Sequence, residues 1–436
     1  GVQTCALPIS DYKIYDVSNG AQVIAVSADR FKTNEISISF ITPLTQQNAA
    51  ANAVVPFILA RTCAQYPSIL ALNRKLASLY GAQIAPVVLK TGEIQQLKIG
   101  LTCLDDRFSL DGEKITAQCV KLLLSMAFEP SLDENGNFLA DNTEREKRVL
   151  IQKIESEENE KRIYALHRAE EIMFAGEPYA VNRYGTRESV SAVTPQSASA
   201  AWRELLETSK IVITAVGSAN AQEIAAMLAD RLSAINRKYA PLPEAVLNSG
   251  AGTVQSVTER QQVRQGKLVM GFRVECDPHD KAKAAAMRSF CDVFGGGPYS
   301  KLFANVREKM SLCYYCSARF TRQKAFIMVQ SGCEEENMQK AENEILNQLE
   351  EIKIGNFDYE FNSSKAALTD ALDSVYDSPE SIEAWYGIQS AENGYDSPQE
   401  SAKRNDAVTK EQIMACAAGV KLDTVYKLVC EKEDAQ

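Results

Sequence analysis

Histidine is almost missing from this sequence: two occur in 436 residues, His167 and His279, far apart and with no second histidine one helical turn from either. A hydrolytic zinc site needs two neutral imidazoles at such spacing, plus a carboxylate to activate the bound water. Neither His-x-x-Glu-His nor its reverse occurs. The same scarcity, with no Gly-x-Ser-x-Gly, removes acyl-enzyme chemistry. Long hydrophobic runs are also missing; no window reaches the roughly 18 unbroken apolar residues of a membrane span. There is no block of Lys and Arg, and the net charge of -10 repels phosphate backbones and anionic lipid. Nucleic-acid and membrane partners are therefore not expected.

What is present is ordinary globular composition, 45% apolar and 24% charged, in a chain long enough for two domains. The 11 cysteines are scattered through apolar runs, as free buried thiols in a reducing compartment would be. The opening carries no charged-then-apolar leader, which predicts a cytoplasmic protein. Gly1 to Ile9 reads as foreign to the rest of the chain.

The two halves carry the same order of signals. In the first, Ile36-Ser-Ile-Ser-Phe40 alternates like a strand with one buried face, followed by helical runs over Ala50 to Cys63 and Ile69 to Tyr80. Strand Ile94 to Cys103, an acidic turn and a helix Glu113 to Phe128 come next. The second half repeats this with strand Lys267 to Val274, helices Lys281 to Phe294 and Tyr299 to Lys309, strand Ala325 to Cys333, an acidic turn, and helix Asn337 to Ile352. Long charged helical stretches, Thr143 to Phe174 and Tyr359 to Asp373, and closing strands Lys210 to Gly217 and Thr424 to Cys430 complete each half. Pro241 and Pro243 interrupt the polar join. The expectation is an α+β fold of two homologous domains, 10–240 and 253–436, each a mainly antiparallel sheet with helices on one face.

Four local patterns invite a chemical reading. His167-Arg-Ala-Glu170-Glu171 puts carboxylates near a histidine, but on a helix charged throughout, where a solvated polar face is the simpler account. His279, in a turn-forming loop, reads as solvated. Cys313-Tyr-Tyr-Cys316 has redox-dithiol spacing but lies in a strand-like run with no helix N-terminus to stabilise a thiolate, which favours structural cysteines. Gly295-Gly-Gly297 continues into Pro-Tyr-Ser-Lys rather than Gly-Lys-Ser/Thr, so it is read as a sharp turn or a close backbone approach, such as an edge that accepts a peptide strand, rather than a phosphate loop.

The run Phe294-Gly-Gly-Gly-Pro-Tyr-Ser-Lys-Leu-Phe303, continuing to Arg307-Glu-Lys-Met-Ser-Leu-Cys-Tyr314, resembles the C-terminal domain signature of the M16 superfamily, which includes insulin-degrading enzyme, pitrilysin and the mitochondrial processing peptidases. Glu144-Arg-Glu-Lys-Arg-Val149, Phe174-Ala-Gly-Glu-Pro-Tyr179 and Tyr184-Gly-Thr-Arg-Glu188 resemble stretches of its N-terminal domain. The resemblance runs from about Lys13 to the end, and its two homologous domains agree with the internal repeat. Where catalytic members carry His-x-x-Glu-His, this chain reads Ala53-Val-Val-Pro-Phe-Ile-Leu-Ala60. Glu144 matches the third zinc ligand and stands alone, so no metal ligand and no catalytic residue is assigned. Arg307 and Tyr314 match the pair that grips substrate backbone, and Arg and Tyr offer the donors that task needs.

Losing zinc while keeping that pair implies a non-catalytic subunit, inactive alone, whose partner is a zinc-bearing M16 homologue and whose ligand is a peptide. No cofactor is expected in this chain; zinc is expected in the partner. Leu79-Tyr-Gly-Ala82, with the absent metal motif, is similar to the non-catalytic bacterial group associated with 5-aminopentanol modification of the translation factor EF-P. Two rival readings stand beside this: a scaffold of the same fold that binds no peptide, and an independent metallopeptidase using His167, Glu170 and Glu171.

Overall fold

A computed structural model describes residues 12–248, 250, 252–392 and 394–431; Gly1 to Ile9 lie outside them. The chain divides into two compact units, neither contiguous in sequence. The first gathers residues 12–152, 183–243 and 375–397, and the second 153–182, 244–374 and 398–431. Two segments thus cross the expected division at 240 and 253.

The first unit holds strands β1 (Tyr12–Ser18), β2 (Ala21–Ser27), β3 (Thr33–Pro43), β4 (Gln83–Thr91), β5 (Ile94–Leu104) and β6 (Lys210–Gly217). They lie in the order β1-β2-β6-β3-β5-β4, antiparallel except for β2 with β6. The second unit holds β7 (Gln255–Gln261), β8 (Gly266–Arg273), β9 (Tyr315–Thr321), β10 (Phe326–Cys333) and β11 (Lys421–Cys430). Their order is β7-β11-β8-β10-β9, antiparallel except for β7 with β11. Strand for strand this is β2-β6-β3-β5-β4 again, parallel pair included. The repeat read in the sequence is a repeat of topology, with β1 as an added edge.

Helices cover both faces of each sheet rather than one. In the first unit the helices Ala49–Leu59, Ile115–Phe128, Pro195–Thr208 and Ala221–Ser233 pack on the sheet. On the other face, Ile24, Val26, Ile41, Val212 and Val216 meet Ile382 and Tyr386 of the helix Pro379–Gln389. Strand β3 therefore has both faces buried, although its alternation reads as half-exposed. Its Ser37 is bonded to that helix: Ser37 Oγ donates to Glu383 at 2.5 Å and, from the neighbouring β5, Lys98 Nζ donates to Glu383 at 2.7 Å. Gln96 Nε2 donates to the Gly387 carbonyl at 3.1 Å.

In the second unit the main core joins Leu268, Met270 and Phe272 of β8 to the helices Lys281–Gly295, Met338–Lys353 and Lys410–Ala418. The reverse face, with Val269, Met328, Tyr426 and Leu428, is covered by Ala165, Ala169 and Met173 of the helix Lys161–Met173. The long helical stretch expected over Thr143 to Phe174 is two helices, Ala140–Asn159 and Lys161–Met173. Glu160 is extended between them and caps the second by accepting from the Arg162 amide.

Candidate functional site

The helix Ala49–Leu59 holds most of the stretch that the sequence resemblance matched to the zinc motif. It is buried over nearly its whole length: Ala53, Val54, Val55, Phe57 and Ile58 pack inward and offer no donor. Its one buried side-chain amide, Asn52, donates to Gln95 Oε1 at 3.2 Å, and Gln95 Nε2 in turn donates to the carbonyls of Ala49 and Arg183. Beyond the helix end, Arg61 Nη1 donates to Glu146 at 2.7 Å, and Arg61 Nε to Asn142 at 3.2 Å. A guanidinium thus engages a carboxylate of the helix Ala140–Asn159. Glu144, matched in sequence to a zinc ligand, is half-exposed and ion-paired with Lys147 at 2.8 Å. Among the described residues no group of three His, Cys, Asp or Glu could hold a metal ion. Zinc does not fit this donor set, and no step is derived through it.

The other metal candidates fare the same way. Glu171 is ion-paired with Arg168, which also lies 3.5 Å from Glu259. His279 is exposed, 4.0 Å from Glu244, with its amide donating to Asp277 at 2.9 Å. His167, Glu170 and Glu171 belong to no metal-holding group.

Arg307 and Tyr314 both precede β9. The stretch read as helix Tyr299 to Lys309 winds as a π-helix over Phe303–Lys309, a widened form frequent at functional sites. It leaves Arg307 half-exposed, its guanidinium 4.4 Å from the Phe303 ring centroid and its Nε 3.6 Å from Glu308. Tyr314 is 63% exposed; its amide donates to the Gly332 carbonyl at 2.9 Å and its hydroxyl to Glu334 at 3.4 Å. Tyr314 thus stands immediately before an edge strand, and Arg307 in the π-helix that precedes it. Glu334 was legible only as part of an acidic turn; its role as the tyrosine's acceptor depends on β9 and β10 pairing, which no local pattern states.

The glycine run serves close approach within the chain. A Cβ on Gly295 would lie 2.5 Å from the Ala318 amide nitrogen of β9, and one on Gly296 would strike Asp292. Asp292 also accepts from Tyr299 at 2.6 Å.

Residues 192–368 match the family described as Peptidase M16 inactive domain, a stretch that contains Arg307 and Tyr314 but not the helix Ala49–Leu59. That stretch is similar to M16-like peptidases, and specifically to the domain described as inactive. It is 28% identical over 417 residues to a probable inactive metalloprotease, YmfF, of Bacillus subtilis strain 168, covering 92% of this chain and 94% of that one. A conserved protein from Enterococcus faecalis V583 superposes with a TM-score of 0.87 at 24% identity, over 98% of this chain and 100% of the other. A peptidase M16 inactive domain from Pseudomonas fluorescens gives 0.77 at 17% identity, with the same coverage. These two likenesses establish that the chain shares their fold. Among the described residues no helix is long and apolar enough to cross a membrane.

Proposed function

We propose that this M16-like chain is the non-catalytic subunit of a cytoplasmic peptide-processing heterodimer, in which a zinc-bearing homologue supplies the metal and this chain supplies Arg307 and Tyr314 to hold peptide. The observation that carries the reading is a contrast within one chain. The helix that would bear the metal is apolar and sealed, whereas Arg307 and Tyr314 remain exposed with unspent hydrogen-bonding capacity. A guanidinium fork suits a backbone carbonyl or a terminal carboxylate, and a phenol suits an oxyanion. Neither performs hydrolysis, so the chain acts on peptide only beside a partner that does.

The test is affinity purification from the native host with identification of stoichiometric partners and a zinc assay on the eluate. Recovery of a homologue carrying His-x-x-Glu-His, with zinc following that homologue, supports the pairing. In the recovered complex, Arg307→Ala with Tyr314→Phe should lower turnover without blocking assembly; unchanged turnover removes the role given to the pair. A lone, metal-free chain or a homodimer would leave the scaffold reading in its place.

A further inference from the structure

Beneath the helix Pro379–Gln389 the first unit buries a polar layer whose charges do not balance. Glu383 of the helix is 3% exposed and uses both oxygens, accepting from Ser37 at 2.5 Å and pairing with Lys98 at 2.7 Å. Glu35 of β3 is 8% exposed, and one of its oxygens accepts from Thr102 at 2.6 Å. The other lies over Gly100, where a Cβ would stand 3.3 Å from it. Gly100 pairs with Ser37, the residue that bonds Glu383, so the two buried carboxyls meet at one position of the β3–β5 ladder. Lys98 is already engaged by Glu383, and on the other side β6 sets Val216 and Thr214 beside Glu35 and Ser37. Glu380, in the first turn of the helix, adds further negative charge. Gln96 Oε1 is fully buried in the same layer and has no hydrogen-bond partner among the described residues.

We propose that the helix Pro379–Gln389 is a proton-operated cover, docked on the sheet while Glu35 is protonated and released locally when that carboxyl ionises. The inference is independent of whether Arg307 and Tyr314 hold peptide. With Glu35 protonated, Lys98 and Glu383 remain as a neutral pair. Ionised, Glu35 sets a second buried negative charge beside Glu383, and because β3 is central in its sheet, that charge reaches water only where the helix lifts. Lifting is a limited change. The helix is held by Pro379, Ile382, Glu383, Tyr386 and Gly387, while β3 keeps its ladders to β5 and β6, and a segment so held can open without the rest. Opening also gives Gln96 Oε1 access to water. Burial is the main cause that lifts the docked Glu35 to about 7, reinforced by Glu383 and Glu380 and opposed by Thr102 and Lys98; undocked, it returns towards its ordinary 4.5. The proton's contribution to docking is therefore complete below about pH 4.5 and is lost as pH rises through about 7.

The experiment is amide hydrogen exchange of the full chain near pH 6 and near pH 8, read by peptide mass, with labelling times scaled to the intrinsic exchange rate at each pH. The helix Pro195–Thr208, on the opposite face of the same sheet, is the reference. Amides of Pro379–Gln389 should be less protected than the reference at both pH values, and their protection should fall about tenfold from the lower pH to the higher. In Glu35→Gln, which keeps the size of the side chain without its charge, that fall should vanish. Equal protection in the two helices would mean that the cover leaves only when the whole unit unfolds, and would overturn the local release. Protection that does not change with pH, or a fall that persists in Glu35→Gln, would overturn the role given to this carboxyl. Should Glu35→Gln fail to fold, the comparison of the two helices across pH in the native chain decides.

Discussion

Glu35 is only 8% exposed beneath the helix Pro379–Gln389, accepting from Thr102 at 2.6 Å. Burial raises its carboxyl to about 7, a rise that Glu383 and Glu380 reinforce and that Thr102 and Lys98 oppose. The folded chain therefore holds this proton more tightly than the unfolded chain does. The stability it contributes is complete below about pH 4.5 and is lost as pH rises through about 7. Glu35→Gln should accordingly stabilise the protein by roughly 1–3 kcal/mol near pH 8 and by almost nothing near pH 4.5, as read by urea unfolding at both. A gain that is equal at the two pH values would refute the assignment. Arg61 and Glu146 supply a second residue-scale prediction, because their side chains are 17% and 10% exposed. Removing the cation strands a largely buried carboxylate, so Arg61→Ala should cost about 1–3 kcal/mol in the same unfolding measurement. Glu144→Ala, which breaks a pair whose acid is 54% exposed, should stay within about 0.5 kcal/mol.

At the scale of elements, strands were more legible than what covers them. Ile36, Ile38 and Phe40 announce β3, and Glu35, Ser37 and Ser39 announce a polar face; the pattern holds, yet that face is buried. Its covering helix, Pro379–Gln389, brings Glu383 to accept from Ser37 and Lys98, which satisfies groups that would otherwise need water. Alternation reports polarity and cannot distinguish water from a complementary helix. Ile382 lies fully buried at the centre of that contact, so Ile382→Ala should cost about 2–4 kcal/mol in chemical denaturation, with the far-ultraviolet spectrum preserved. A loss under about 1 kcal/mol would mean the helix is not held by this packing. The edge strands β1, β4 and β7 escaped the sequence reading because their residues are only partly buried and show little hydrophobic contrast.

At the scale of the whole molecule, each compact unit contains one helix from the far side of the expected boundary. Fragments cut between Pro243 and Glu244 would each lose that cover: the first its helix Pro379–Gln389, the second its helix Lys161–Met173. Expressed separately, they should aggregate or unfold without a cooperative transition, and co-expression should restore soluble protein. Two fragments that each fold cooperatively alone would contradict this interdependence. The sequence by itself determined three strands of each repeated sheet, β3, β5 and β6 in the first and β8, β10 and β11 in the second, their duplicated order, and the loss of imidazoles from the helix Ala49–Leu59, because periodicity and residue chemistry are local properties. Tertiary structure decided which helix covers which sheet face, the pairing of Arg61 with Glu146, and the approach of Ala318 to Gly295. Those arrangements rest on partners brought together from distant parts of the chain, which is not written in the spacing of neighbours.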